Sequence, residues 1–448
     1  MATRDEQETT LAPLSSVSKR WIAFVAVLGL GALVFAEAVI HQLQHGLLVT
    51  DMGSWGTQAG VTWGLYIGGF EFFAGMGLGS LALAAYIRYR QIDEYALLAR
   101  VGELLAVIGG LVAAFLIVID LGRPERVIYV LQQWPSTVQH SPLAWDVTFV
   151  TMLIVVSVTM LALSLRRDFG SMNAPLPRHV QLLGRALTLG YRPEERPKLD
   201  SMLRYMGAGV LILVVTAGMV PGWLFGVVGP QPGYYGKIQG LVFITGGIPA
   251  GIAAVTVVTF ALRRIYSLEA QIPAAAFADL GKALGVFSFV YLIILFNQFM
   301  PMVFPMAPLG GRVIAEAMLW GTLAPYFWTS VVLLVATVLA LAGLYTYGTI
   351  TAGNAVIASF VVMFAVLIKK ILAVLEPLMF PVGLPYEQGV YSPTVVEWVI
   401  TIGAFGVAVL AIAVAVKVVP LTAVTPSGRD PATPETPDEQ EDGTEVTA

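Results

Sequence analysis

Long apolar stretches alternate with short polar segments along almost the whole chain. Ten of these stretches approach the ~20 residues that a helix needs to cross the hydrocarbon core of a bilayer. The pattern therefore predicts an all-α integral membrane protein with ten transmembrane helices. The predicted spans, numbered 1 to 10 in chain order, cover residues 21–41, 61–87, 97–120, 143–165, 205–227, 240–263, 283–304, 326–348, 353–377 and 395–417.

The composition supports this class and limits the chemistry. Of the 448 residues, 57% are hydrophobic and only 12% are charged, whereas soluble proteins are ~25% charged. The chain contains no cysteine. Thiolate-bound iron–sulfur clusters, c-type haem and disulfides all need cysteine, so this chain holds none of them. Any electrons that it handles must be carried by a non-cysteine cofactor or by another subunit.

The basic residues predict the orientation in the membrane. Lys and Arg are concentrated in alternate connections, above all in residues 166–204. The positive-inside rule makes that side cytoplasmic, so we expect a multi-pass plasma-membrane protein with both termini inside. Asp120, Asp146, His41 and His140 then lie near the outer face.

Short motifs recur in the same order on the two sides of the connection at 166–204. They predict two repeated four-helix bundles, spans 2–5 and 6–9, flanked by spans 1 and 10. The alternative is chance similarity among Gly, Pro and Trp. The matching segments are 64–75 with 240–251, 119–124 with 295–301, and 141–145 with 324–328.

This repeat divides the chain into predicted units. Two flanking segments, rich in polar residues, are expected to be disordered, and the C-terminal one is acidic. The units are a disordered N-terminus (1–18), the first helix with an outer loop (19–60), a first bundle (61–227), a second bundle (228–377), the last helix (378–420) and an acidic disordered tail (421–448).

The repeat also reveals an asymmetry in the acidic residues. Asp120 of the first bundle falls opposite Asn297, and Asp146 falls opposite Thr329. The second bundle therefore looks neutralised, and proton chemistry is expected in the first bundle.

Ionisable residues inside the predicted spans need a reason, because each costs ~2.5–3.5 kcal/mol or more in hydrocarbon. Glu71 lies near the middle of span 2 and could be a proton-relay carboxyl or a packing hydrogen bond. With Asp120 outside and Glu103 near the inner end of span 3, it could form a staggered proton path. The three acids could equally be unrelated, because depth does not show which helix faces meet. Lys369 and Lys370 of span 9 can hardly both face lipid; one could snorkel outward while the other pairs with a buried acid.

Glu37, His41 and His45 are spaced to share one face of span 1. A His pair could bind b-type haem with His140 as the other outer ligand. A polar helix face at headgroup level is the favoured interpretation, and a hydrogen bond from His41 to a quinone ring is a further possibility.

The motifs resemble a known family. "WGLYIGGFEFFAGMG" at 63–77, "DLGRP" at 120–124 and "SPLAWD" at 141–146 resemble the NrfD-like membrane subunits of polysulfide reductase and related complexes. The ten spans resemble the longer members, such as those of alternative complex III. The helix stop explains Gly122 and Pro124 of "DLGRP", but it leaves Asp120 unexplained.

The resemblance implies a subunit that exchanges electrons with menaquinone or another quinone and holds no haem or cluster of its own. It further implies a ferredoxin-like iron–sulfur partner on the outer face and, beyond it, a molybdopterin oxidoreductase subunit. Quinol oxidation also needs proton acceptors within hydrogen-bond reach of the ring. We expect Asp120, Asp146 and Glu71 to carry the protons, and His41, Tyr66, Arg123, His140 and Trp145 to contribute to the quinone pocket or its rim.

Two other functions stay open at this stage. Ten spans, an internal repeat and a buried carboxyl also suit a secondary transporter coupled to ions or protons. A b-type cytochrome is the third possibility, although the chain has only four His.

Overall fold

The structure is a computed structural model that describes Leu14 and residues 17–53, 60–171, 177–227, 238–269, 271–307, 309–380 and 388–421. These residues form helices and no strand. Nearly all of the two segments predicted to be disordered, 1–18 and 421–448, lies outside the described residues.

Ten helical segments among the described residues are long and apolar enough to cross a membrane, which confirms the predicted number and class. Most boundaries agree with the prediction within a few residues, but the fifth and seventh spans begin earlier, at Pro193 and Ala274. The helices that form one span each are α1 (Lys19–His45), α2 (Leu65–Arg90), α3 (Ala96–Asp120), α5 (Pro142–Ser171), α9 (Gln239–Ile265), α10 (Ala274–Val303), α12 (Ala324–Thr346), α13 (Ala352–Met379) and α14 (Val395–Val418).

The fifth span is interrupted. It consists of α7 (Arg196–Thr216), a 3-10 turn (Ala217–Met219) and α8 (Val220–Val227). Three short helices lie between the spans and were not predicted: α4 (Val127–Thr137), α6 (Arg178–Leu187) and α11 (Leu309–Leu319).

The helices pack in two groups of four. In the first group, α2 and α5 each contact both α3 and α7. In the second group, α9 and α12 each contact both α10 and α13. Helix α2 joins the groups by packing on α9 and α13, and α1 packs on α14. The division into two repeated four-helix bundles stays a prediction.

Glycines bring α2 and α9 into backbone contact where the groups meet. A Cβ placed on Gly79 would lie 2.3 Å from the carbonyl oxygen of Gly247, and one on Gly251 would lie 2.2 Å from the amide nitrogen of Ser80. Both helices carry the Gly-x-x-x-Gly spacing, at Gly75–Gly79 and Gly247–Gly251, which permits close approach of membrane helices.

Burial differs sharply between the spans. In the apolar stretch of α2, 83% of the residues are buried inside the protein, whereas in that of α1 only 6% are buried. Because α2 is surrounded by other helices, its polar side chains must find partners within the protein rather than in lipid or water.

Candidate functional site

Asp120 is the last residue of α3, and the local sequence ends the helix as predicted. Gly122 adopts a left-handed conformation with φ +66°, and Pro124 begins a 3-10 turn. The Asp120 side chain is buried, and its Oδ1 atom has no hydrogen-bond partner among the described residues. Burial of an unpaired polar group is unfavourable, so this carboxyl has no evident structural role.

Tyr66 lies in the first turn of α2 and is linked to the end of α3 through α1. Its hydroxyl donates to Oε1 of Gln42 at 2.6 Å, and Nε2 of Gln42 donates to the carbonyl of Ile119 at 3.1 Å. This places Tyr66 and Asp120 in one cluster. Sequence reasoning missed Gln42, although an amide beside His41 at the end of an apolar helix was the available signal.

A hydrogen-bonded cap holds two loops together near this cluster. The Tyr391 hydroxyl donates to Oε1 of Glu397 at 2.5 Å and accepts from the backbone amide of Leu65 at 3.0 Å. The other oxygen of Glu397 accepts from the amide of Asp51 at 2.9 Å. Burial, with the negative charge of Glu397, raises the pKa of Tyr391 above its ordinary value.

Asp146 and Trp145 are neighbours on α5 but point in opposite directions. Trp145 is 48% exposed, whereas Asp146 is fully buried. Neither carboxylate oxygen of Asp146 has a hydrogen-bond partner among the described residues, and the side chain lies within electrostatic range of Glu71. Asp146 therefore faces the interior of the first group of helices.

An open groove lies on the other side of α5. Its volume is about 440 Å³, within the ~300–1,000 Å³ of small-molecule sites. Two tryptophans and a histidine give it aromatic walls and one titratable group. The lining includes His140, Pro142, Trp145, Val220 and Trp223.

Glu71 forms a buried ion pair that crosses between the two groups of helices. Nζ of Lys370 on α13 donates to Oε2 of Glu71 at 2.9 Å and lies 3.9 Å from the centre of the Phe243 ring. Its neighbour Lys369 lies 3.7 Å from the carboxylate of Glu376. All four charged side chains are buried.

This cluster corrects one prediction. Neither lysine snorkels outward, because each pairs with an acid inside the protein. The expectation that proton chemistry belongs to the first bundle stays a prediction, although the second group supplies the cation that pairs with Glu71. The error arose because position along a helix gives depth but does not show which helix faces meet.

Glu103 belongs to a separate ionic network at the opposite end of the first group. Its carboxylate pairs with Arg88 at 2.9 Å, and Arg100 pairs with Asp168 nearby. Ser164 accepts from both arginines, at 2.6 and 3.1 Å. This bonding accounts for Glu103 structurally, so the staggered path from Asp120 through Glu71 to Glu103 stays a prediction.

The remaining predicted residues are more exposed than the two buried aspartates. His41 is half-buried, and its ring contacts that of His45 at a tilt of 40°, with 4.4 Å between the centres. Arg123 and His140 are exposed. The described residues contain no group of three metal-ligating side chains. The structure thus brings together Tyr66 with Asp120, Asp146 with Glu71, and His140 with Trp145.

Comparison with known proteins agrees with the resemblance seen in the motifs. The chain is 27% identical over 288 residues to a putative dimethyl sulfoxide reductase membrane subunit of Halobacterium salinarum, covering 64% of this chain and 60% of that protein. Over 428 residues it is 21% identical to a selenate reductase subunit of Mesobacillus selenatarsenatis, covering 89% of this chain and 93% of that protein. The chain thus matches less than two thirds of the halobacterial protein. Residues 53–382 match the family model described as polysulphide reductase, NrfD, and the chain belongs to this family.

Proposed function

We propose that this chain is the membrane subunit of a respiratory oxidoreductase complex. It exchanges electrons between menaquinone, or another quinone, and an iron–sulfur partner on the outer face. The observation that carries the proposal is the pair of buried carboxyls at the ends of α3 and α5, Asp120 and Asp146. Oδ1 of Asp120 and both carboxylate oxygens of Asp146 have no hydrogen-bond partner among the described residues. Family membership and the reductase relatives support it.

The groove beside α5 fits the quinone ring better than the interior of the helix group does. Trp145 and Trp223 offer flat apolar surfaces, and His140 offers a hydrogen bond. Its mouth is open, so an isoprenoid tail can remain among the lipids. A bound quinol supplies two electrons together with two protons.

The protein's own residues would then receive those protons. His140 is the titratable side chain that lines the groove. Asp146, on α5, projects into the interior within electrostatic range of Glu71, the partner of Lys370. Asp120, with Tyr66 and Gln42, forms a second acceptor group at the end of α3. A carboxylate without a fixed partner can accept a proton without first breaking a hydrogen bond.

An iron–sulfur cluster that receives the electrons belongs to another chain, because this chain has no cysteine to hold one. We propose a ferredoxin-like iron–sulfur subunit and, beyond it, a molybdopterin oxidoreductase subunit. The dimethyl sulfoxide and selenate reductases named among the relatives suit such partners.

Carboxylate replacement tests the proton acceptors. Asp146→Asn and Asp120→Asn should each abolish quinol-dependent electron transfer by the purified complex while leaving its assembly intact. Asp93→Asn is the matched control, because Asp93 is an exposed acid at the opposite end of the same span as Asp120. Unchanged turnover in both variants would refute this site.

A second experiment separates binding from proton transfer. Trp145→Ala should raise KM for a water-soluble quinol and weaken quenching of intrinsic fluorescence by a quinone analogue. Asp146→Asn should lower kcat and leave that binding intact. If Trp145→Ala affects neither binding nor KM, the groove is not the quinone site.

A proton- or ion-coupled transporter is the second candidate, and the buried cluster of Glu71, Lys370, Lys369 and Glu376 favours it. Proteoliposomes with the purified chain alone decide between the two. Ion or proton flux without any redox partner would support transport, whereas quinol-dependent reduction of an acceptor in the complex would support the first proposal. A Soret band from the purified chain would instead indicate a b-type cytochrome.

A further inference from the structure

Helix α6 is fixed against one end of the helix assembly. Nε2 of His179 donates to the carbonyl of Lys417 at 2.8 Å, in the last turn of α14. Arg166, near the end of α5, donates to the carbonyl of Leu187 at 2.8 Å. Val180 and Gly184 of α6 are buried. Because α5 and α14 are membrane spans that end here, α6 lies at the level of the lipid headgroups.

The opposite side of α6 presents alternating cations and leucines. Arg178, Leu182, Arg185 and Leu189 follow one another at helical spacing, the last of them just beyond the helix. Leu182 is 80% exposed and Leu189 81%. Both arginines are exposed and form no ion pair with another described residue. We call these four residues the α6 stripe.

The surrounding segment carries an excess of positive charge. Residues 166–204 contain eight Lys and Arg and four Asp and Glu, in a chain whose net charge is −4. Three of these acids are paired: Asp168 with Arg100, Glu195 with Arg166 and Asp200 with Arg167. Positive charge therefore predominates in the segment around α6.

We propose that the α6 stripe binds anionic phospholipid in the leaflet next to this end of the protein. Its two leucines insert between the acyl chains at the headgroup boundary, and Arg178 and Arg185 bind the phosphates. An amphipathic helix with apolar and basic residues on its outward side is suited to this position. Anionic lipid is the complementary surface for unpaired cations at headgroup depth. The stripe would thereby anchor the charged segment to the bilayer.

Lipid binding to the purified chain in detergent tests the arginines. Native mass spectrometry should show more bound phosphatidylglycerol than phosphatidylcholine. Arg178→Gln combined with Arg185→Gln should weaken phosphatidylglycerol binding by roughly 25-fold, at about fivefold per arginine. Arg90→Gln combined with Arg126→Gln removes the same charge from exposed positions elsewhere and should have little effect. Equal losses in the two double variants would overturn the proposal.

A depth measurement tests the leucines independently. The chain has no cysteine, so Leu182→Cys can carry a single fluorescent label in nanodiscs. Brominated phospholipid should quench the fluorescence of this label. A label at Glu194→Cys, another exposed position, serves as the comparison. Aqueous iodide should quench the label at 182 far less than the label at 194. Iodide quenching as strong at 182 as at 194 would show that the stripe faces water and is free for a soluble protein partner, which contradicts lipid binding.

Discussion

The pairing of Glu71 with Lys370 makes a sharp prediction about stability at the residue scale. Lys370→Met leaves the Glu71 carboxyl buried without its cation, so we expect a loss of about 3–5 kcal/mol in unfolding free energy. Glu71→Gln together with Lys370→Met should recover part of that loss, because no uncompensated charge then remains. Thermal unfolding of the purified chain in detergent measures both changes.

The control for this prediction is an exposed ion pair. Lys282 lies 2.9 Å from Asp279, and the two side chains are 46% and 49% exposed. Exposed pairs contribute little to stability, so Lys282→Met should shift unfolding far less than Lys370→Met. Comparable shifts would mean that the buried pair is not important for stability.

The same pair changes how the proton-relay role of Glu71 must be tested. Glu71→Gln alone disturbs both the relay and the partner of Lys370. In the Lys370→Met background, Glu71→Gln should slow proton-coupled turnover further and leave quinone-analogue binding unchanged. A loss confined to binding would remove the relay role.

Tyr391 gives a pH-dependent prediction. Its pKa is raised by burial and by Glu397, so the folded state favours the neutral hydroxyl. The stabilisation is complete below the ordinary tyrosine pKa of about 10 and is lost as the pH rises above it. The wild-type chain should therefore lose more thermal stability between about pH 8 and pH 11 than Tyr391→Phe does. Parallel losses in the two proteins would contradict this role for Tyr391.

Part of the residue-scale picture could be predicted from sequence. The helix stop at Gly122 and Pro124 follows from local backbone chemistry, and it placed Asp120 at a helix end correctly. The contact between Glu71 and Lys370 joins residues 299 positions apart. Nothing local specifies that contact, because it depends on which faces of α2 and α13 meet.

At the scale of elements, the crossing of α2 and α9 depends on glycine. A Cβ at position 79 would overlap the backbone of Gly247, at 2.3 Å from its oxygen. Gly79→Ala should therefore separate the helices and cost about 1–3 kcal/mol, as overpacking does. Gly209→Ala on α7 is the matched control, because nothing lies within 4 Å of its added Cβ. Gly209→Ala should be neutral or slightly stabilising, because alanine has the higher helix propensity. Thermal unfolding of the two variants measures the difference. Equal behaviour would show that the crossing tolerates a side chain.

The spans were predictable as elements because a bilayer requires a minimum apolar length. The short helices were missed for the opposite reason. Helix α6 lies in a segment dominated by its charges, and α4 contains a proline at 135. Their helical form depends on contacts with the span ends, which the apolar length of a segment does not reveal.

At the scale of the whole molecule, the grouping of helices explains why the predicted pocket divides into parts. Helix α2 is enclosed by α3, α7, α9 and α13, so Glu71 and Tyr66 point into the protein. Trp145 and His140 lie on the exterior of the same group. The sequence located Tyr66, His140 and Trp145 near the ends of spans and Glu71 near the middle of one. The direction of each side chain, however, depends on helix rotation within the group.

The orientation of the whole assembly can be tested because the chain lacks cysteine. The positive-inside rule predicts that the segment at 166–204 is cytoplasmic. Ser136 and Ser201 are both exposed. Ser201→Cys should resist an impermeant maleimide on intact cells and react with it only after lysis. Ser136→Cys should react with the maleimide both on intact cells and after lysis. The reverse pattern would place Asp120 and Asp146 on the cytoplasmic side. An iron–sulfur partner would then have to dock inside the cell, so this measurement also decides on which side electrons leave the membrane.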